Sequence, residues 1–378
     1  MLLNYKPDCK FFIGEKPCKY KRLCQNCEWY SPFKFKILII KLAATGDVLR
    51  TTPLLRGIKR HYPESHITWL TDSNALEILQ NNSFIDRILT FNLENILRLQ
   101  VEEFDLLYSL DKEIRATALA ETVKAKVKKG FAFHKIGNIY PLNKESHYAF
   151  MLGLSDDLKF NINQKSYQEI IFELCCLNYE RDEYILNLLP EELEEGKRYL
   201  YALGVRENNI VIGLNTGAGR IYATKKWSPE GFIQLANKLN NMANTKILLL
   251  GGEEERERNS IIKKEVEFDI IDTGTDNSIK KFTSIIGNCN LIVTGDTLAL
   301  HLAIATKVPV VAFFGPTCHQ EIELYGRGVK LIANDGCPPC YRSECMRKPS
   351  CLDKMSSEQV YKAILKVLAS SGRIIEQE

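Results

Sequence analysis

"KILIIKLAATGDVLRTTPLL", residues Lys36–Leu55, decides the fold. An apolar run enters a short turn with one glycine, and a helical pattern leaves it. The run reads as a strand buried on both faces, and the pattern after it as a covering helix, so the first unit of the chain is βα. Phosphate cradles are usually built on this layout. Here the turn has neither the glycine spacing of a dinucleotide fingerprint nor a Gly-Lys-Thr. It offers an acid, Asp47.

The alternation continues outward from that unit. "HITWLTD" (66–72), "IDRILTFN" (85–92), "FDLLYSLD" (104–111) and "AKVKKGFAF" (125–133) read as further strands, with helices near 75–80 and 115–122. Residues from about 145 to 205 read as mainly helical. A second alternation then starts with "NIVIGLNTGAG" (209–219). "TKILLLGG" (245–252), "FDIIDTG" (268–274), "NLIVTGD" (290–296) and "PVVAFFGP" (309–316) continue it. Helices are predicted at 228–240 with Ser228 as cap, from about 253, at 279–289, at 298–306, and at 356–369 with Ser356 as cap. Two α/β sheets in tandem follow, each with its ligand edge beyond the carboxyl ends of its strands.

The bulk properties agree. A chain of 378 residues with 45% hydrophobic and 26% charged residues has the composition of a globular protein of about two domains. No apolar run reaches the ~18–20 residues of a membrane span. Lys6 and Asp8 interrupt the N-terminus, which predicts no export signal and a cytoplasmic protein. The net charge of +3 is unevenly spread: residues 1–36 carry eight basic and three acidic side chains. This basic head is either a surface for anionic lipid or an acidic partner, or a plain solvated segment. Nothing continues it into the basic stripe of a nucleic-acid binder.

Four turns at the predicted ligand edges carry residues that suit chemistry. Asp47 is either a helix cap at the positive end of the dipole or a general base facing a cleft, and one side chain can be both. In "NTGAGRIYATKKW" (215–227), Gly217 and Gly219 let backbone N–H groups approach an anion. Thr216 adds a hydroxyl there, and Arg220, Lys225 and Lys226 add charge. Trp227 reads as packing. In "GGEEERE" (251–257) the acids suit the helix dipole, and one of them suits a ribose diol. In "TGDTLALHLA" (294–303), Asp296 and Thr297 open a helix whose N–H groups suit a phosphate, with His301 one turn on.

These motifs, in this order and together with "VAFFGPT", resemble glycosyltransferase family nine, which contains the lipopolysaccharide heptosyltransferases. The resemblance covers roughly residues 36–370. It implies a GT-B fold, two Rossmann-like domains facing across a cleft. The domains expected are an N-terminal acceptor domain at 36–200 and a nucleotide-sugar domain at 205–335, with a terminal helix at 353–378 packing back on the first. It further implies Asp47 as catalytic base, and Lys225 with Thr216 and Gly217 at the donor diphosphate. Glu254 is the match for the ribose acid, and Asp296, Thr297 and His301 for the donor-binding helix start. Leu298 stands where glycine is usual in the family. The implied reaction is an inverting transfer of a sugar, heptose from ADP-heptose, to a lipopolysaccharide-core glycan, with no catalytic metal. Transfer to protein hydroxyls and a non-catalytic nucleotide-sugar-binding or metal-sensing protein are the alternatives. Basic residues of the first domain's loops, Arg115, Lys124, Lys126, Lys128 and Lys129, suit a phosphorylated acceptor or are simply solvated.

The twelve cysteines fall into two quartets and four scattered residues. Cys337, Cys340, Cys345 and Cys351 have the spacing Cys-x2-Cys-x4-Cys-x5-Cys, within a loop at 336–352. Cys9, Cys18, Cys24 and Cys27 lie in an N-terminal segment at 1–35 and end in Cys-x2-Cys. Without an export signal, such clusters suggest a structural zinc, iron or iron–sulfur site before disulfides, with reduced thiols as the alternative. The resemblance extends here: many family members carry a similar late four-cysteine loop, and the autotransporter heptosyltransferases among them hold iron there.

Overall fold

The computed structural model describes residues 5–15, 18–219, 223–333, 336–337 and 339–373. Its first sheet is built from β1 (Phe35–Ile40), β2 (Ser65–Thr71), β3 (Arg87–Thr90), β4 (Glu103–Ser109), β5 (Lys124–Phe133) and β6 (Ile139–Pro141), in the order β3-β2-β1-β4-β5-β6. All pairs are parallel except β5 with β6. The second sheet comprises β7 (Ile210–Asn215), β8 (Thr245–Leu250), β9 (Ile271–Asp272), β10 (Leu291–Gly295), β11 (Val310–Phe314) and β12 (Gly328–Ile332). Its order is β12-β11-β10-β7-β8-β9, parallel throughout.

The period of two along a strand sends neighbouring residues to opposite faces. In β1, Leu38 and Ile40 pack with Leu107, Ala116 and Leu119 on one side. Ile37 and Ile39 pack with Val48, Leu55 and Trp69 on the other. That second face belongs to a cluster that runs on into the other domain, through Leu248, Ile285 and Leu300. The two sheets are thus joined by a shared apolar core.

The helix after β1 comes in two pieces, Thr45–Thr51 and Leu54–His61, because Pro53 has no N–H to continue the ladder. Ser228 and Ser356 cap their helices as the sequence predicts, accepting from the N–H of Gly231 and of Gln359. Two edge strands, β6 and β12, and the helix Leu93–Val101 are additions to the sequence reading. The strand expected over 268–274 shrinks to two residues.

Two boundaries differ from expectation. The helix Pro190–Ala202 packs on the second domain, not the first: Ser284 Oγ donates to the carbonyl of Glu192 at 2.6 Å, and Lys280 pairs with Glu192 at 2.7 Å. A Cβ on Gly196 would lie 2.0 Å from Ser284 Oγ, so glycine is what allows this approach. The terminal helix Ser357–Ser370 also stays with the second domain. Val360, Ile364, Val367 and Leu368 pack with Ile212, Trp227 and Phe232. With Ala363, these apolar side chains on one face of that helix match the second sheet, and nothing draws it across. Among the described residues, no helix is long and apolar enough to cross a membrane.

Replacing the fully buried Ile364 by Ala is expected to destabilise the chain by about 2–5 kcal/mol. Urea unfolding checks this, and an effect as small as that of a surface substitution would mean that the helix is not docked as described.

Candidate active site

The carboxyl ends of β1, β7, β8 and β10 lead into the four turns singled out above. Asp47 sits in the first turn of the helix Thr45–Thr51, where its Oδ2 accepts from the Ala44 N–H at 3.3 Å. It is a cap, as one reading had it. It also forms an ion pair, Oδ1 to Arg50 Nε at 2.8 Å, while its side chain keeps 35% exposure. Burial works against the charge, but Arg50, Lys41 and His301 outweigh it and hold the carboxyl well below the usual range. Asp47 is ionised at any physiological pH.

Around it stands a shell that sequence reasoning missed. Lys41, the residue after β1, forms a buried pair with Asp111 and donates to the Ala43 carbonyl at 2.7 Å. Asp111 also accepts from the Leu42 N–H at 2.5 Å. The Arg50 guanidinium lies 3.8 Å from the centre of the Tyr167 ring and reaches Glu321, a residue of the second domain, at 3.8 Å. The only sequence signal was position: Lys41 and Arg50 flank the Gly-Asp turn.

His301 comes from the other domain to the same place. A Cβ on Gly46 would lie 2.6 Å from His301 Cδ2, so the donor-side helix Leu298–Ala305 presses directly on the residue before Asp47. The His301 ring is buried, with Nδ1 3.3 Å from the Tyr184 hydroxyl. Burial and then the Arg50 charge lower its pKa to about 4. It is a neutral ring at pH 7, so it adds no cation to a phosphate site.

Lys225 Nζ donates to the carboxylate and to the carbonyl of Asp296, both at 3.1 Å. Burial opposes ionisation of Asp296, and Lys225, His301 and Arg50 overcome it. Asp47, Arg50, His301, Asp296 and Lys225 therefore share one electrostatic neighbourhood across the domain junction. Thr216 and Thr297 turn inward. The Thr216 hydroxyl bonds Asn259 at 2.5 Å. The Thr297 hydroxyl meets Thr294 at 3.0 Å and the Asn215 amide at 3.3 Å. These two hydroxyls tie the turns together.

Of the three glutamates after β8, Glu255 is buried. It accepts from the Gly252 N–H at 3.0 Å, pairs with Lys226 at 3.1 Å and fills the space over Gly217. Glu254 is exposed beside it. Trp227 is packing: its Nε1 donates to the Met355 carbonyl at 3.0 Å. Arg220 lies outside the described residues.

The basic side chains expected for an acceptor are mostly engaged elsewhere. Arg115 pairs with Asp72 at 2.9 Å and Lys126 with Asp105 at 2.7 Å. Lys128 and Lys129 donate to backbone carbonyls.

The late cysteine loop borders the donor turns. The N–H groups of Cys340 and Tyr341 both donate to the Pro316 carbonyl at 3.0 Å, and Thr224 Oγ1 donates to the Arg342 carbonyl at 2.6 Å. Cys337, Cys340, Cys345 and Cys351 line one small cavity there. None of the twelve cysteines is in a disulfide. Among the described residues, no three His, Cys, Asp or Glu side chains already stand at metal-ligating spacing.

Residues 96–350 match the family model for glycosyltransferase family 9 (heptosyltransferase), about two thirds of the chain. The chain belongs to glycosyltransferase family 9. It is 25% identical to lipooligosaccharide heptosyltransferase 2 of Campylobacter jejuni over 346 residues, covering 89% of this chain and 99% of that one. A family 9 glycosyltransferase of Veillonella parvula superposes with a TM-score of 0.72 at 20% identity, covering 89% of this chain and 98% of that one. The ADP-heptose LPS heptosyltransferase II of Escherichia coli superposes at 0.65 and 15% identity, covering 89% and 99%. The two tandem sheets are therefore the GT-B arrangement, and the protein is a glycosyltransferase.

The depressed His301 pKa has a consequence for stability. Between pH 6.5 and about 4 the unfolded chain takes up a proton that the folded chain refuses, so stability falls with pH across that window. The loss is at most roughly 3 kcal/mol. His66, also lowered to about 4 by burial, titrates alongside it. Denaturant unfolding at stepped pH should show this slope, and His301→Gln should remove about half of it.

Proposed function

We propose that this glycosyltransferase moves heptose from ADP-heptose to a hydroxyl of a lipopolysaccharide-core glycan, with inversion at the anomeric carbon, in the cytoplasm. The observation that carries the reading is the apposition of Asp47, on the first sheet's edge, to His301, Asp296 and Lys225 on the second's. The relatives, a lipooligosaccharide heptosyltransferase and an ADP-heptose LPS heptosyltransferase, suggest the sugar and the glycan.

In this reading the donor diphosphate lies against the N–H groups that open the helix Leu298–Ala305 and against the Gly217 turn. Lys225 exchanges part of its contact with Asp296 for a phosphate oxygen and stabilises the leaving diphosphate. Glu254, exposed beyond β8, accepts from the ribose hydroxyls. Glu255 and Lys226 hold that turn in shape, and Thr216 and Thr297 act the same way on theirs. The acceptor hydroxyl approaches Asp47 through its exposed side. Asp47 takes the proton as the hydroxyl oxygen attacks the anomeric carbon and the bond to the diphosphate breaks.

The Asp47–Arg50 pair sets a condition on this step. An ionised carboxylate is available, but an adjacent guanidinium makes it a weak base. An acceptor hydroxyl that displaces Arg50 Nε from Oδ1 restores basicity where it is needed. The thiol donor set of the late loop fits a thiophilic ion, zinc or iron. Cys337, Cys340, Cys345 and Cys351 would hold it, and it would brace the turn carrying Lys225 through the Thr224–Arg342 contact.

The test is transfer from ADP-heptose to a heptose-deficient lipopolysaccharide core, read by mass spectrometry. Asp47→Asn is expected to lower turnover by roughly 10²–10⁴-fold while ADP affinity, measured by calorimetry, is retained. Lys225→Ala is expected to weaken ADP binding. A wild-type chain that binds no nucleotide sugar overturns the reading.

A further inference from the structure

The segment ahead of β1 poses a physical problem. Among its described residues from 5 to 33 there is no helix, and the only sheet-like contact is one bridge between Cys9 and Pro32. None of these residues is buried. Ordering a residue costs about 1–2 kcal/mol of backbone entropy, and this segment has no core to offset it. Units of fewer than about 40 residues generally need a metal or disulfides.

Yet the segment has a definite shape. Tyr20 stacks on Trp29 at 4.5 Å, and Phe11 meets Tyr20 edge-on at 5.0 Å. Lys21 and Asn26 take positive φ values of 52° and 53°, which turn the chain sharply beside Cys18 and Cys27. Lys10 N–H donates to the Ser31 carbonyl at 2.8 Å, and Phe33 N–H to the Asp8 carbonyl at 2.9 Å. Phe33 then anchors the segment to the first sheet, edge-on to His66 at 4.8 Å.

This fold brings the four cysteines to one place. Cys9, Cys18, Cys24 and Cys27 line a single small cavity of about 20 Å³. That is room for one water-sized occupant. Among the described residues the four thiols line this cavity without forming a ready-made metal-ligating group, so binding an ion requires them to close on it.

We propose that Cys9, Cys18, Cys24 and Cys27 bind one thiophilic divalent ion, zinc, and that this ion is what keeps residues 5–33 folded on the first sheet. Four thiols give up their protons to solvent on binding. The resulting zinc tetrathiolate is doubly negative. Lys6 and Arg22 line the same cavity, and Lys10, Lys19 and Lys21 lie in the same segment. The basic excess of this segment is thereby counter-charge for the cluster instead of a lipid-binding surface. The inference stands apart from the transferase reading, since neither the donor nor the acceptor enters it.

Elemental analysis of the full chain, purified under reducing conditions, is expected to find zinc. Cys24→Ser/Cys27→Ser should lose one equivalent per chain, and Cys337→Ser/Cys340→Ser should keep that equivalent. Trypsin should cut at Lys19, Lys21 and Arg22 at least tenfold faster in the first variant, or after chelation, than in the loaded chain. Loss of one equivalent of iron in place of zinc supports the tetrathiolate and changes its metal. Equal metal content in wild type and Cys24→Ser/Cys27→Ser overturns the proposal, as does alkylation showing the four cysteines paired in disulfides. If that variant does not fold, cobalt(II) added to metal-stripped Cys337→Ser/Cys340→Ser decides: a tetrahedral thiolate–cobalt spectrum supports the site, and its absence overturns it.

Discussion

A methyl group on residue 46 would sit 2.6 Å from the ring of His301, and the arrangement of the whole site depends on that exclusion. It lets the helix after β1 and the helix after β10 meet with no side chain between them. The acid of one sheet is then next to the helix that follows β10 in the other. With a larger residue at 46 the edges must separate by the width of a side chain. Bond-making distances tolerate no such gap.

The same closeness shapes the electrostatics. Two acids, Asp47 and Asp296, face each other's neighbourhood with two cations, Arg50 and Lys225, paired to them. His301 lies among all four and stays neutral because burial and Arg50 outweigh the two acids. An imidazolium there would compete with Arg50 for Asp47. The neutral ring leaves that carboxylate to Arg50 and, in the proposed reaction, to the acceptor. Arg50 also reaches Glu321 of the second domain, so the pairing of Asp47 and the approach of the domains are mechanically linked.

Much of this was legible in the sequence. Continuous apolar runs such as Lys36–Lys41 and Thr245–Leu250 betray strands covered on both faces, and the turn after each run fell at the ligand edge. Asp47, Lys225, Asp296 and His301 drew notice because they sit in those turns and match a family pattern, and the structure brings them into one neighbourhood. What stayed hidden depended on contacts between distant segments. Glu254 and Glu255 are indistinguishable by propensity. Only the space over Gly217 shows that Glu255 turns inward. Thr216 reads as a phosphate ligand until Asn259 takes its hydroxyl. Asp111 is 70 residues from Lys41 in the chain, and no local signal joins them. The terminal helix was misplaced for the same reason: its amphipathic pattern shows that a face must be buried, but not against which sheet.

The division of labour between the sheets follows from charge. A pyrophosphate needs cations and unpaired N–H groups, and a base needs a carboxylate. In one turn these requirements conflict, because the cation that holds the phosphate would quench the base. In the proposed reading, placing them on separate sheets lets each turn keep its own partner, Lys225 with Asp296 and Arg50 with Asp47, until substrate arrives. The two cysteine quartets lie outside this arrangement, one beneath the turn that carries Lys225 and one at the foot of the acceptor sheet. Both occur in stretches, 5–33 and 336–351, in which no described residue is buried. In the proposed reading, thiolate–metal bonds hold what burial does not.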